Sequence, residues 1–275
     1  MITKPLHMVL IGCGAIGSAM ARGWLIADVN IKLTVVTPNR ESISDLPNID
    51  QVKWYPAYQT VPLNQNPDVI VLAVKPEILK DVLPTIPYRH LSSAVVISVA
   101  AGKNLDFYYN FLPRHTALAK IMPNLPVAFH AGMSVGFSHP HCSPEQNRII
   151  EDLFKTLGKF MWLEEEELFH AATVVSGCGP AYLYMMEESM TKAAESIGFS
   201  EKEAQLLVRQ TLIGSARMLS YVGASATDLK EKVTSPHGVT AAARTILEKP
   251  HKGLTDLFTK AFETALRRSR EIVSG

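Results

Sequence analysis

The chain is poor in cysteine, nearly neutral and without a long apolar run. Its three cysteines, Cys13, Cys142 and Cys178, are odd in number and share no C-x-x-C spacing. That argues against a disulfide framework, and the expectation is a protein of a reducing cytoplasm. The formal net charge is +1 and no long basic stretch occurs, which argues against nucleic acid as the main partner. The longest largely apolar stretch, residues 94–101, is far too short to span a bilayer. Leu10-Ile11-Gly12-Cys13 imitates a lipid-attachment box behind Lys4, but His7 interrupts the apolar region ahead of it, leaving less than the roughly seven residues a signal peptide needs. His139-Pro140-His141-Cys142 has no second ligand cluster at zinc-site spacing, and Pro140 and Pro144 mark a loop. No metal is expected. What remains is a chain of 275 residues, 47% apolar and 19% charged, long enough for two domains and a sizeable core.

The most informative stretch begins at His7. Val9, Leu10 and Ile11 read as a strand buried on both faces. Gly12, Cys13, Gly14, Ala15, Ile16 and Gly17 follow as a full G-x-G-x-x-G, and residues 18–26 continue as a helix with Ile16, Met20 and Trp24 along one face. The first glycine allows the tight turn, the second lets the backbone approach a pyrophosphate, and the third lets helix pack on strand. The free N–H groups at the helix start then favour a diphosphate. About twenty residues on, after a second strand at residues 31–36, NAD-binding folds carry an acid for the ribose 2′-hydroxyl. Thr37 stands there instead, followed by Pro38, Asn39 and Arg40. A hydroxyl, an amide and a guanidinium suit a 2′-phosphate, so the expected cofactor is NADPH.

Further strands are expected at residues 68–74, 94–99 and 117–122. They end in Ala73-Val74-Lys75-Pro76, Ala100-Ala101-Gly102 and Met122-Pro123-Asn124. Ligands of open α/β sheets lie across the carboxyl ends of the strands, and these small or backbone-rich ends can pass close under a cofactor. Pro76 suits the first turn of a helix. Ser143 and Gln146 form a capping box, and Glu164 to Glu167 place charge favourably at the start of the next helix.

From about residue 168 the periodicity is helical. Pro180 starts a helix whose first turns (Tyr182, Leu183, Tyr184, Met185, Met186) are apolar nearly all round, as in a helix buried on several sides. Ser200 with Glu203 and Ser225 with Asp228 cap two more. Ser235-Pro236-His237-Gly238-Val239-Thr240 then makes a turn into a fresh helix, where free N–H groups and the hydroxyls of Ser235 and Thr240 offer a place for a small carboxylate. The last helix carries Leu254, Leu257, Phe258, Ala261, Phe262, Ala265 and Ile272 on one face, a stripe that points to subunit association.

Taken together, these segments resemble those of pyrroline-5-carboxylate reductases, nearly end to end. The resemblance rests on the glycine turn, Ala73-Val74-Lys75-Pro76, Ala100-Ala101-Gly102, Met122-Pro123-Asn124, Ser176-Gly177-Cys178-Gly179-Pro180-Ala181-Tyr182 and the specific signature at residues 233–240. It implies an N-terminal Rossmann domain with a doubly wound, mostly parallel sheet at residues 1–164. An all-helical substrate-binding and dimerisation domain follows at residues 165–275, with dimers that in the family often assemble into decamers. It implies hydride transfer from NADPH to the C=N bond of L-1-pyrroline-5-carboxylate, giving L-proline. It also implies that Thr240 donates to the imine nitrogen while Ser235, Gly238 and the N–H groups of Val239 and Thr240 hold the carboxylate. The expected cofactor contacts are Gly12 to Gly17, Thr37, Asn39, Arg40, Ala73, Val74, Lys75, Pro76, Ala100, Ala101 and Asn124.

Three positions depart from the family pattern: Cys178 for a serine, Leu125 for the threonine of Pro-Asn-Thr-Pro, and His237 for the first glycine of Ser-Pro-Gly-Gly. They bear on substrate preference more than on fold. Two other functions stand beside the main one: an NADP-dependent reductase of another cyclic imine or a β-hydroxy acid, and a non-catalytic NADP-binding sensor. A hydroxy-acid enzyme would need a lysine or histidine donor in the helical half. Lys192, among Glu187, Glu188 and Glu195, reads as part of a solvated face. For Thr240 itself the plainer role is to cap its helix, and the proton donor would then be a bound water.

Overall fold

The computed structural model describes residues 4–62, 64, 66–221 and 223–274, with main chain only at 273 and 274. The chain packs as two units. One comprises Met1–Cys178 with Leu266–Gly275; the other is Gly179–Ala265.

The first unit is built on an eight-stranded sheet. Its strands are β1 (Leu6–Ile11), β2 (Ile31–Val36), β3 (Lys53–Tyr55), β4 (Val69–Leu72), β5 (Val95–Ser98), β6 (Leu118–Met122), β7 (Gly132–Ser138) and β8 (Gly158–Trp162). The order is β3-β2-β1-β4-β5-β6-β7-β8. The first six run parallel, β7 pairs antiparallel to β6, and β8 runs parallel to β7. The order reverses around β1 and β4, which places the topological switch point beside the glycine turn. Alternation along β1 feeds both faces: Met8 and Leu10 join one buried cluster, Val9 and Ile11 the other.

Helix α1 (Ala15–Ile26) covers the first face with Met20, Ala21 and Trp24, all fully buried. Trp24 Nε1 donates to Leu153 O at 3.0 Å, so the one polar atom of this large side chain is satisfied inside the core. The connections after β4 and β5 hold short helices: α2 (Leu79–Val82), α3 (Tyr88–Ser93) and α4 (Leu105–Tyr109). Helix α5 (Pro144–Lys155) opens with the capping box of Ser143 and Gln146. Helix α6 (Leu168–Ala172) runs into a single π-helical turn, Thr173–Gly177.

The sheet is mostly parallel, as the sequence predicts, but β3, β7 and β8 are additions to that reading. β3 is too short to show a period. The glycines of β7 and β8 hide the other two, and packing explains them. A Cβ on Gly136 would lie 2.7 Å from Trp162 and 2.8 Å from Ile121 and Phe160. One on Gly158, where φ is +141°, would lie 2.1 Å from Gly132 O. These strands are held by close approach rather than by β propensity.

The second unit is helical: α7 (Gly179–Ser196), α8 (Glu201–Tyr221), α9 (Ala226–Lys232), α10 (Val239–Leu247) and the part of α11 (Leu254–Ser274) up to Ala265. Ser200–Glu203 and Ser225–Asp228 make the predicted caps. Tyr182 packs against Phe258 and Phe262 at ring distances of 6.4 and 5.6 Å. The expectation that the start of α7 is buried on several sides does not hold within one chain. Leu183, Tyr184 and Met185 are 57, 62 and 54% exposed, because the single chain has too few neighbouring elements to cover a helix that is apolar all round.

Candidate active site

The glycine turn has the form its sequence requires. Gly12 sits at φ +93°, and a Cβ there would lie 2.5 Å from Ala73 O, so the turn is closed against the end of β4. A Cβ on Gly17 would lie 2.5 Å from Gly12 O, whereas one on Gly14 would meet nothing within 4 Å. Two glycines are therefore there for packing, and the middle one leaves open space above the backbone. Gly14 is also the N-cap of α1, with no side-chain cap bond and no acid in the first turn. The helix presents N–H groups and positive dipole to that space, which is what a diphosphate needs. Between the glycines, burial pushes the Cys13 thiol up to about 11, so it stays protonated at neutral pH and is no nucleophile.

At the end of β2, Thr37 is buried and its hydroxyl lies 3.3 Å from Ser42 Oγ. Asn39 Oδ1 accepts from the Glu41 N–H at 2.9 Å and so caps the short 3-10 helix Arg40–Ile43. The Arg40 guanidinium is 5.8 Å from the centre of the Trp54 ring, and Trp54 Nε1 donates to Thr37 O at 3.0 Å. Ser42 and Trp54 were not among the sequence-based candidates. Ser42 shares the Ser/Thr/Asn turn chemistry of its neighbours; Trp54 lies on the strand too short to recognise.

Ala73 follows β4, its N–H donating to Ile11 O at 2.7 Å. Lys75 is the exposed N-cap of a 3-10 turn with Pro76 in its first position. After β5, Ala100 is buried and Ala101 exposed, and the Ala100 N–H reaches Ser98 Oγ at 3.3 Å. Asn124, just past β6, donates from Nδ2 to Ser176 O at 3.0 Å and accepts the Met133 N–H on Oδ1 at 2.9 Å. All these candidates but the signature residues thus lie in the first unit, along the carboxyl ends of β1, β2, β4, β5 and β6.

A cleft of about 200 Å³ in the same unit is lined by Gly102, Lys103, Lys120, Glu166, His170 and Ser269, among others. Lys120 lies within β6, nearly buried, with Nζ 2.7 Å from Glu166 Oε1 and 4.5 Å from the centre of the Phe169 ring. Burial lowers the Lys120 pKa, and the bond to Glu166 opposes the shift. Glu166 Oε1 also accepts the Leu105 N–H at 2.9 Å. Glu166 is thus the partner of a buried lysine and of the α4 N-terminus, a role its place in an acidic run does not disclose.

In the second unit, the Gly238 N–H donates to Ser235 O at 3.0 Å, and a Cβ on Gly238 would lie 2.2 Å from Ser235 Oγ. His237 occupies the left-handed region at φ +58°. Gly238 is the N-cap of α10 and makes no side-chain cap bond. The first bond within the helix comes from the Ala242 N–H to Gly238 O at 3.1 Å, so the N–H groups of Val239 and Thr240 lie ahead of the ladder. Thr240 is exposed at the second helical position, inside the helix rather than at its cap. Lys192 pairs with Glu188 at 2.6 Å on an exposed face. Among the described residues, no group of three or more His, Cys, Asp or Glu is arranged to hold a metal ion.

Two family models match the chain. Residues 166–272 match "pyrroline-5-carboxylate reductase dimerisation", and residues 7–102 match "NADP oxidoreductase coenzyme F420-dependent". The pyrroline-5-carboxylate reductase of Haemophilus influenzae is 30% identical over 96% of this chain and 97% of its own length. The chain belongs to the pyrroline-5-carboxylate reductase family. Among solved structures, the Coxiella burnetii reductase is similar at a TM-score of 0.88, with 29% identity over 98% of this chain and 99% of that one. A Plasmodium falciparum pyrroline carboxylate reductase, solved with NADP bound, gives a TM-score of 0.83 at 29% identity, covering 98% of both chains.

Proposed function

We propose that this chain is an NADPH-dependent reductase of L-1-pyrroline-5-carboxylate, acting in the cytoplasm as a homodimer and making L-proline. The observation that carries the proposal is the start of α10. There a helix start without a side-chain cap is preceded by Ser235 and carries Thr240 at its second position, in a chain of this family. NADPH fits the first unit because Gly14 leaves open space at an uncapped helix start. Gly12, Cys13, Gly14, Ala15, Ile16 and Gly17 would hold its diphosphate. Thr37, Asn39 and Arg40 would hold the 2′-phosphate. Ala73, Val74, Lys75, Pro76, Ala100 and Ala101 would border the rest, whereas Asn124, expected there from sequence, has both side-chain polar atoms engaged within the protein. When bound, NADPH supplies the hydride.

The protein's own task is then to hold the substrate and steady the imine nitrogen. An imine accepts hydride far better when its nitrogen is protonated or hydrogen-bonded, because the transition state moves charge onto that nitrogen. Thr240 Oγ1 is the donor assigned to it. Ser235, Gly238 and the N–H groups of Val239 and Thr240 hold the carboxylate, with positive dipole behind them. Positioning and one hydrogen bond suffice, and no nucleophile is required. We set the division between cofactor and substrate domains near residue 165, where the match to the dimerisation model begins, ahead of the break at Cys178 between the two compact units. The exposed apolar side chains of α7 and α11 are the assigned dimer surface, with decamers as the larger assembly.

The test is a substrate screen that follows loss of NADPH absorbance with cyclic imines, with and without the carboxylate, and with β-hydroxy acids run in the oxidative direction. Turnover is expected with L-1-pyrroline-5-carboxylate above all others. Tight NADPH binding without turnover on any cyclic imine would make the chain a sensor, and turnover confined to a hydroxy acid would move it to the dehydrogenases.

A further inference from the structure

Asn124 stands at the N-cap of the 3-10 helix Leu125–Phe129, where an asparagine ordinarily bonds the helix's own N–H groups. It makes no such bond. Its side chain reaches across instead, to Ser176 O with Nδ2 and to the Met133 N–H with Oδ1. The choice of Ser176 has a chemical cause. In an α-helix the carbonyl of residue 176 would accept from the N–H of residue 180, and residue 180 is a proline with no N–H to give. The preceding turn is π-helical, with the Cys178 N–H reaching Thr173 O at 2.8 Å. Such turns leave carbonyls out of the regular ladder and concentrate at functional sites. A carbonyl left unpaired in a part-buried place is destabilising, and Asn124 supplies the missing donor.

The same turn rests on the strand that Asn124 follows. A Cβ on Gly177 would lie 3.5 Å from Met122 Cγ and Sδ, and Met122 is the last residue of β6. The bond from Asn124 therefore fixes Ser176-Gly177-Cys178 against a strand end assigned to the cofactor floor. Its second bond closes the loop between β6 and β7.

We infer that Asn124 is a positioning residue of the reductase: by replacing the hydrogen bond that Pro180 cannot make, it locks the π-helical turn Thr173–Gly177 onto the end of β6. This role rests on the reductase reading above. Two variants and one background test it. Asn124→Ala removes both bonds without adding charge, and Asn124→Asp keeps the acceptor for Met133 while losing the donor. Pro180→Ala returns an N–H four residues beyond Ser176. Each is assayed for kcat and KM, for NADPH affinity by fluorescence titration, and for hydrogen exchange of the amides at residues 173–178.

The expected result is a kcat at least tenfold lower in both variants, and an NADPH Kd within twofold of wild type for Asn124→Ala. The exchange of those amides should be at least tenfold faster. Introduced into a Pro180→Ala chain, Asn124→Asp should cost less than threefold in kcat relative to Pro180→Ala alone, and exchange should slow again. An NADPH Kd that weakens in step with kcat would make Asn124 a cofactor ligand and overturn the inference. So would equal losses with and without Pro180, or a double variant that fails to fold as the single one does. The binding and exchange arms do not depend on which imine is the substrate, so failure of the substrate assignment leaves them readable.

Discussion

At the scale of single residues, the site depends on groups that add little to the fold. Thr240 is exposed on α10, whose cap is Gly238. Loss of a cap is therefore not what Thr240→Ala would cause. If its hydroxyl donates to the imine nitrogen, the substitution should lower kcat by roughly 10–1,000-fold and leave the NADPH Kd and the melting temperature close to wild type. Stopped-flow turnover and a thermal melt decide it, and normal turnover would leave a bound water as the donor. Arg40 is a similar case at the cofactor end. It is exposed and stacked on Trp54 rather than committed to a carboxylate among the described contacts. A guanidinium that pairs with phosphate contributes about 1.5–3 kcal/mol. Arg40→Ala should therefore cut kcat/KM for NADPH by about 10–100-fold and change that for NADH little. An unchanged preference would relocate the 2′-phosphate site.

At the scale of elements, what was legible is what carries a period or a cap. The glycine turn, strands β1, β2, β4, β5 and β6, and the Ser143, Ser200 and Ser225 caps follow from local sequence. β7 and β8 do not, because their glycines erase the apolar alternation and make sense only once the neighbouring backbone is in place. Gly158 is the sharpest case: a Cβ there meets Gly132 O at 2.1 Å in a backbone conformation that side chains avoid. Gly158→Ala should destabilise the protein by well over about 1 kcal/mol and lower Tm, while a melt within a degree of wild type would mean that β7 and β8 can shift apart freely. Within the site, the cofactor candidates could be named from the strand ends. The partners Ser42, Trp54 and Glu166 could not, since each acts through a contact between residues distant in chain or hidden in a run of like residues. The same holds for Asn124, whose task appears only when Pro180 is seen to leave Ser176 O without its helical donor.

At the scale of the whole molecule, buried acidic protons set how the fold responds to alkali. Burial pushes the thiols of Cys13 and Cys142 from 9.0 to about 11. Tyr108 rises from 10.0 to about 12 through burial, only partly offset by its bond to Ser98, and Tyr109 rises to about 12 through burial as well. Each of these groups keeps its proton in the folded state at a pH where the unfolded chain has lost it. The stability they contribute is complete below the unfolded pKa and is lost as pH climbs through the folded one. Lys120 works the other way. Its pKa is lowered by burial, so just below 10.5 the unfolded chain binds the more protons and rising pH favours the fold. One lysine is outweighed by two thiols and three phenols, burial raising Tyr58 as well. Stability measured by denaturant unfolding should be flat between pH 7 and 8.5 and fall from pH 9 to 11. The two thiols together account for at most about 5 kcal/mol of that fall, at 1.36 kcal/mol per pH unit for each. Replacing both with alanine should flatten the decline between pH 9 and 10, whatever it does to stability at pH 7. A decline of unchanged slope in that variant would assign the alkaline loss to the tyrosines or to separation of the subunits, and size measurements across the same range would tell those two apart.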